Sequence, residues 1–124
     1  MSAVIGVGID AVEIPRFREI LRRRPRVADR LFSTAERELV AGRHDPVPSL
    51  AARFAAKEAT MKALGTGLGG VDFAEIEVLA TVAGAPSIDL RGRAARAAES
   101  LGVTAVHVSL SHTESLATAV VVAE

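Results

Sequence analysis

The chain has 124 residues, enough for one domain with a modest core, and its composition (49% hydrophobic, 24% charged) is that of an ordinary globular protein. It contains no cysteine, which excludes disulfides, thiolate metal sites and a cysteine nucleophile. The apolar runs are too short to span a membrane, and no basic segment precedes an apolar stretch at the N-terminus. We therefore expect a cytoplasmic protein without membrane contact, folded as a single domain over residues 1–124.

The formal net charge is zero, but one segment is strongly basic. Between Arg16 and Arg30 there are seven arginines and only two acidic residues, Glu19 and Asp29. Such a block predicts either an acidic partner or a solvated basic face. Nucleic acid is a poor candidate partner, because the chain has no Tyr or Trp and only four Phe to stack on bases.

Alternating residues predict that residues 3–12 form a strand ending near a carboxylate. One face of this strand carries Ile5, Val7 and Ile9, and the other carries Gly6, Gly8 and Asp10. The glycine face predicts open backbone leading to Asp10.

Helix signals follow in the next part of the chain. A helix is predicted to begin at residues 13–15, where Pro15 suits a first turn, and to end or kink at Pro25. The Ser33-Thr-Ala-Glu36 pattern is typical of a capping box for a short helix that stops near residue 42. After a loop over residues 44–48, we expect Ser49 to cap a long helix that ends at Gly65.

The second half of the chain alternates between strands and one helix. Residues 65–70 are rich in glycine and predict a flexible connection, followed by a strand over 75–78 that turns at 84–86 and returns over 87–90. Residues 93–101 predict a helix closed by Gly102, and residues 104–111 and 116–123 a closing hairpin. The resulting fold class is α+β, with a small antiparallel sheet packed with a long central helix and shorter helices.

The long helix carries charges where an amphipathic helix would be apolar. Lys57 lies near the middle of a stripe, with Arg53 and Glu58 on its two sides; the stripe itself consists of Leu50, Phe54, Met61 and Leu64. Isolated buried ions are costly, so these charges must be paired or must contact a ligand or metal. We therefore expect this helix to form the wall of a polar site.

Two carboxylates, Asp10 and Glu58, could act together. If they converge, they suit a hard divalent cation such as magnesium, which is often held by one or two carboxylates with phosphate and water. The alternative is that each is paired with an arginine in a structural salt bridge.

Three cations on the same helix, Arg53, Lys57 and Lys62, could neutralise a polyphosphate. The alternative is an i,i+4 salt bridge between Glu58 and Lys62, with the other two side chains reaching water. The glycine-rich segment after the helix lacks the ending of a P-loop and, taken alone, indicates a connector.

Polar side chains also cluster at the end of the predicted strand 104–111. Ser111, His112 and Thr113 would suit an anion, although a lone histidine in a hairpin is often structural. A hydrolase triad is excluded, because adjacent residues of a strand point to opposite sides.

Four sequence blocks together resemble one known family. They are Ile5-Gly-Val-Gly-Ile-Asp10, Arg53-Phe-Ala-Ala-Lys-Glu-Ala59, Lys62-Ala-Leu-Gly-Thr-Gly67 and His107-Val-Ser-Leu-Ser-His112. In order and spacing they are similar to the holo-acyl-carrier-protein synthases, the short, single-repeat branch of the 4′-phosphopantetheinyl transferases. The resemblance covers nearly the whole chain.

The resemblance implies an activity. Enzymes of this family transfer the 4′-phosphopantetheine group of coenzyme A to a serine of an apo acyl carrier protein in fatty acid or polyketide synthesis, and release adenosine 3′,5′-bisphosphate. Asp10 and Glu58 match the family's Mg²⁺ ligands, and Lys62 matches a lysine near the pyrophosphate. By this reading Glu58 and Lys62 are the catalytic residues, with Glu58 helping to remove the serine proton.

The resemblance also implies the residues around coenzyme A. Positions that match the family's nucleotide and phosphate contacts, or belong to its signature helix and loop, are Arg53, Lys57, Gly65, Gly67, Ser111, His112 and Thr113. Together with Asp10, Glu58 and Lys62, they form the expected cofactor-binding set.

Two kinds of protein partner follow from the resemblance. The arginine block matches a docking surface for the acidic carrier protein, formed by Arg16, Ile20, Arg23, Arg24, Arg26, Val27 and Arg30. Because the chain has only one repeat, we expect a homotrimer with active sites at subunit interfaces. The alternative function is a non-catalytic subunit that binds carrier protein or nucleotide, which would have no need for Asp10, Glu58 and Lys62 together.

Overall fold

The computed structural model describes residues 3–67 and 70–124 and confirms the α+β class. Its strands are β1 (Gly6–Glu13), β2 (Ile76–Ala80), β3 (Pro86–Leu90), β4 (Val106–His112) and β5 (Leu116–Ala123). Its helices are α1 (Ile14–Arg23), α2 (Val27–Leu31), α3 (Thr34–Val40), α4 (Val47–Leu64) and α5 (Gly92–Leu101), with a 3₁₀ turn at Phe73–Glu75. None of the helices in the described ranges combines the length and hydropathy needed to cross a membrane.

The strands form two separate antiparallel sheets. The larger has the order β1-β5-β4, so the C-terminal strand lies in its centre and pairs with both the first strand and its hairpin neighbour. The smaller consists of the β2–β3 hairpin alone. Helix α4 packs across the inner face of the larger sheet, where its alanines meet those of β5 in the main core.

The glycines of β1 allow that strand to lie directly on α4. A Cβ atom added to Gly8 would lie 1.8 Å from the carbonyl oxygen of Ala59, and one added to Gly6 would lie 1.8 Å from that of Ala63. Any side chain larger than hydrogen would therefore push the strand away from the helix. The expectation of open backbone on this face was wrong, because the helix covers it.

The opposite face of the larger sheet is apolar along β1, and there it is uncovered within one chain. Ile5, Val7 and Ile9 are exposed, with Val7 and Ile9 retaining 58% and 66% of their accessible surface. Val120 of β5, paired with Ile9, adds to the same surface. An exposed apolar surface of this kind is typical of a protein interface.

Two of the predicted helix boundaries are confirmed by the structure, and one is shifted. Gly65 ends α4 with a left-handed φ of 68°, as expected, and the capping box between Ser33 and Glu36 is present at the start of α3. Helix α4 begins at Val47 rather than after Ser49, since Pro48 is accommodated in its first turn. The Ser49 hydroxyl accepts a hydrogen bond from Arg53 instead of capping the helix.

The packing of β1 on α4 predicts a large effect of one methyl group. Gly8→Ala should lower the free energy of unfolding by about 3 kcal/mol, the upper end of the usual cost of overpacking, because the clash is with backbone. Gly42→Ala is the matched control, since its Cβ would have no atom within 4 Å. Urea denaturation of both variants measures the difference, and equal stabilities would contradict the close contact.

Candidate functional site

The two predicted metal ligands meet at the junction of β1 and α4. Asp10 follows Gly8 on the helix-facing side of β1, and its carboxyl group lies within hydrogen-bonding reach of that of Glu58. We call Asp10 and Glu58 the acidic pair. Lys62, one turn further along α4, donates to the carbonyl oxygen of Ile9 at 2.9 Å and lies 3.4 Å from an Asp10 carboxylate oxygen. The structure therefore brings together the two predicted catalytic residues, Glu58 and Lys62, and the second predicted metal ligand, Asp10.

The proximity of two carboxyl groups changes the protonation of Glu58. Partial burial, together with the hydrogen bond and charge of Asp10, raises the pKa of Glu58 to about 7, while the positive charge of Lys62 opposes the rise. In the described part of the chain, neither carboxylate pairs with an arginine, and the lysine contacts Asp10 rather than forming the i,i+4 bridge. The alternative of separate structural salt bridges is therefore wrong.

Clefts open on both sides of Glu58. One, of about 370 Å³, extends from the acidic pair along α1 and includes Arg16, Phe17 and Ile20. The other, of about 360 Å³, is lined by Glu58, Met61, Lys62, Gly65 and Gly67. A ligand in the second cleft would contact Lys62 and the glycine backbone at the C-terminal end of α4.

Arg53 and His112 meet in a third cleft, on another side of α4. This cavity, of about 320 Å³, is also lined by Arg43 and by residues of the β2–β3 hairpin, among them Pro86. We call it the arginine cleft. Arg53 is buried and donates to the carbonyl oxygen of Val78 at 3.1 Å and to the carbonyl oxygen of Ser49 at 3.4 Å. Burial lowers the pKa of Arg53, but a guanidinium stays charged at neutral pH.

Lys57 lines none of these three clefts, and the structure corrects its predicted role in cofactor binding. Its side chain has no exposed surface, and its ammonium group donates to Glu36 at 2.7 Å, to the carbonyl oxygen of Phe73 at 2.8 Å and to that of Ile76 at 2.5 Å. Three donors are thus used by three acceptors inside the protein. Burial lowers the pKa of Lys57, and the Glu36 carboxylate opposes that effect.

The remaining predicted anion ligands, Ser111, His112 and Thr113, do not lie together. His112 lines the arginine cleft, whereas Ser111 and Thr113 are exposed and do not line it. The Thr113 hydroxyl accepts hydrogen bonds from the amides of Ser115 and Leu116 and so shapes the hairpin turn. Within one chain these three residues do not form a single site, and their contact with a ligand stays a prediction.

Four of the predicted docking residues line clefts beside α1. Ile20 is exposed and shares a cleft of about 330 Å³ with Arg23 and Arg24. Ile20 and Arg16 also line the cleft that reaches Glu58. Arg26, Val27 and Arg30 lie at the start of α2 or within it, a five-residue helix that the sequence analysis did not predict.

Sequence reasoning missed several residues around these clefts. Arg43 and Pro86 line the arginine cleft but gave no signal of their own in the sequence. Glu36 was interpreted only as part of a capping box, although it is also the partner of Lys57. A lysine inside an apolar stripe was the available signal that a buried acidic partner existed.

Comparison with known proteins identifies the family of this chain. Residues 6–121 match the model of the 4′-phosphopantetheinyl transferase superfamily. The chain is 49% identical to the holo-acyl-carrier-protein synthase of Beutenbergia cavernae over 121 residues, which is 98% of each chain. The chain belongs to the 4′-phosphopantetheinyl transferase superfamily.

Solved structures of this superfamily have the same fold. The holo-acyl-carrier-protein synthase of Neisseria meningitidis superposes with a TM-score of 0.90 at 33% identity, over 98% of this chain and 99% of that one. The Helicobacter pylori enzyme, solved in complex with coenzyme A, gives 0.83 at 31% identity, over 95% and 99% of the two chains. The resemblance to the holo-acyl-carrier-protein synthase branch is thereby confirmed.

The donor set of the acidic pair fits one magnesium ion. In residues 3–67 and 70–124, no three His, Asp or Glu side chains converge, so the protein can offer two carboxylates at most at one point. Two carboxylates leave the other positions of an octahedral ion for water and substrate phosphate, which is how magnesium is commonly held.

The pKa of Glu58 predicts how stability depends on pH in metal-free protein. A carboxyl group whose pKa rises from 4.5 to about 7 on folding binds its proton more tightly in the native state, so stability falls as pH rises from about 4.5 to 7. Glu58→Gln removes this loss. Because the group is half-exposed, the variant should gain only on the order of 1 kcal/mol over wild type at pH 8 and nothing at pH 4. Denaturation with EDTA at both pH values measures this, and a pH-independent difference would contradict it.

Proposed function

We propose that this protein transfers the 4′-phosphopantetheine group from coenzyme A to a serine of an apo acyl carrier protein, with release of adenosine 3′,5′-bisphosphate. The observation that carries the proposal is the convergence of Asp10, Glu58 and Lys62 on one point beside open clefts. The relatives of this chain are named for that reaction, and the Helicobacter pylori structure has coenzyme A bound. A subunit that only bound carrier protein would gain nothing from two adjacent carboxylates and a lysine.

The reaction requires charge to be moved off a pyrophosphate. Magnesium held by the acidic pair would polarise the pyrophosphate oxygens and make the β-phosphorus a better electrophile. Asp10 and Glu58 would hold that ion. Lys62, whose side chain remains 56% exposed, can reach a phosphate oxygen while anchored at the backbone of β1.

Bond changes and proton transfers can be assigned to these residues. The serine hydroxyl oxygen forms a bond to the β-phosphorus, and the bond between that phosphorus and the bridging oxygen breaks. Glu58 accepts the serine proton, directly or through water, and Lys62 donates a hydrogen bond or proton to the departing phosphate. A pKa of about 7 in the metal-free site suits a base, and metal ligation would weaken that base.

The nucleotide is assigned to the arginine cleft. Arg53 and His112 offer two donors to a phosphate group there, while Gly65 and Gly67 border the cleft that holds Lys62. Ser111 and Thr113 are assigned to the same ligand from the edge of the sheet. Arginine suits phosphate because its planar donors can bind two oxygens at once.

We infer that the two parts of this site come from two copies of the chain. The arginine cleft shares no lining residue with the acidic pair, yet the nucleotide and the pyrophosphate of coenzyme A are adjacent groups. The exposed apolar face of the larger sheet, with Ile5, Val7 and Ile9, supplies an interface. A homotrimer would place the acidic pair of one chain against the arginine cleft of the next.

The arginine block is assigned to the acidic carrier protein. Ile20 provides an apolar contact, and Arg23 and Arg24 surround it with guanidinium groups suited to carboxylates. The surface continues through Arg16 into the cleft that ends at Glu58. A carrier protein docked here would have a direct path for its serine to the acidic pair.

Mass spectrometry of an apo acyl carrier protein tests the reaction. Incubation with this protein, coenzyme A and magnesium should add one phosphopantetheine group, and chelation of the metal should stop the addition. Glu58→Gln should lower the rate by at least about 100-fold, because charge stabilisation at the phosphoryl group is lost. If no carrier protein gains mass with the unmodified chain, the binding-only alternative is favoured.

Mixed oligomers provide the control for a site shared between chains. Glu58→Gln and Arg53→Ala should each be weakly active alone at low coenzyme A concentration. Co-expressed in equal amounts, they should recover about one quarter of wild-type activity, since a random pairing of neighbours restores that share of intact sites. A mixture no more active than its components would place the whole site within one chain.

A further inference from the structure

The β2–β3 hairpin forms one wall of the arginine cleft but is not part of the larger sheet. Within residues 3–67 and 70–124, its strands pair only with each other. Val78, Leu79, Ala80, Gly84 and Pro86 of this hairpin face Arg53 and His112 across the cavity. No strand ladder therefore fixes the distance between the two walls.

Buried charged side chains connect this hairpin to the helices. The Lys57 ammonium group holds the carbonyl oxygens of Phe73 and Ile76, which lie immediately before and at the start of β2. Its partner Glu36 also accepts from the amide of Ser33 at 3.0 Å and, through its other oxygen, from the amide of Val78 at 3.0 Å. Glu36 and Lys57 both have no exposed surface, so these bonds are made without competition from water.

Val78 links the ion pair to the cleft. Its amide donates to Glu36, and its carbonyl oxygen accepts from Nε of Arg53. The amide of Val78 is thus bound to α3, and its carbonyl group is bound to α4. A shift of β2 relative to α4 would break both bonds and remove the support of the Arg53 guanidinium.

We propose that the buried Glu36–Lys57 pair positions the β2–β3 hairpin and Arg53 for binding the nucleotide, although neither residue touches the ligand. The identity of the ligand rests on the function proposed above. Both are positioning residues, which act through Val78 and the carbonyl groups of Phe73 and Ile76.

The directional hydrogen bonds of the Glu36–Lys57 pair explain why charged residues occupy positions where apolar residues would fit. Apolar side chains of similar volume often stabilise a core as well as a buried ion pair does. Apolar side chains cannot, however, fix the position of a strand along a helix axis, because apolar contacts are not directional and allow the strand to shift. The pair instead connects three backbone groups of the hairpin segment to α3 and α4 at defined positions.

The variant Glu36→Gln removes the acceptor of the Val78 amide and also leaves the buried Lys57 ammonium group without its anion, so it is compared below with a double variant that removes both charges. Lys57 and the Ser33 amide both donate to one carboxylate oxygen, so the glutamine carbonyl must face them and its NH₂ group must face the Val78 amide. The hydrogen bond from the Val78 amide is then lost, because two N–H donors, the amide and the glutamine NH₂ group, face each other. We expect the affinity for adenosine 3′,5′-bisphosphate, measured by calorimetry, to fall about tenfold, as for an unsatisfied buried group.

Steady-state kinetics should show that nucleotide binding is weakened while catalysis is retained. The KM for coenzyme A should rise about tenfold in Glu36→Gln while kcat stays within about twofold, because Asp10, Glu58 and Lys62 lie on another side of α4. Arg37→Ala is the matched control on the same helix, since the side-chain bonds that the structure describes for Arg37 are exposed ones, to Asp29 and Thr34. That control should leave both constants unchanged.

A double variant and an exchange measurement complete the test. Glu36→Leu with Lys57→Met removes both charges of the pair, and it should fold yet bind the nucleotide at least as weakly as Glu36→Gln. In unmodified protein, nucleotide should slow hydrogen exchange of the Val78 amide. A folded variant with wild-type affinity, or an unchanged Val78 exchange rate, would overturn the positioning role. If unmodified protein binds no nucleotide, the proposed function fails instead, and this inference with it.

Discussion

The contact between two glycines and one helix determines where the acidic pair forms, and the proposed chemistry depends on that pair. Gly6 and Gly8 place the backbone of β1 against the carbonyl groups of Ala63 and Ala59. Two residues of a strand span about 6.8 Å and four residues of a helix about 6 Å, so the antiparallel strand and helix advance almost in step. The next helix-facing residue, Asp10, is thereby carried to the turn that presents Glu58. Without this approach, two acidic residues far apart in the sequence would not face each other.

Helix α4 has two functions because its charges point in different directions. Lys57 and Arg53 are buried and bind backbone carbonyl groups of β2 or the turn before it, which fixes neighbouring elements. Glu58 and Lys62 reach the clefts beside β1. Spacing along the helix separates these functions, since residues five apart are rotated by about 140°. One helix thus supplies side chains to open clefts on one side and internal support on the other.

Sequence patterns predicted local structure better than they predicted partners. Gly65, Gly102 and the Ser33–Glu36 capping box set helix ends through local geometry, and each was predicted correctly. The environment of Lys57 was not predictable, because its acceptors are carbonyl groups of a distant turn and strand, which no residue type reveals. The convergence of Asp10 and Glu58 was predicted only with the help of the family resemblance, since the packing of a strand on a helix cannot be read from either segment alone.

The central claim is that Asp10 and Glu58 together form one site for a divalent cation. Electron paramagnetic resonance of Mn²⁺, titrated into protein saturated with coenzyme A, measures this directly. Unmodified protein should bind a single tightly held ion per chain, and Asp10→Asn and Glu58→Gln should each abolish that binding. Retention of the tight ion by either variant would show that the two carboxylates do not share a cation.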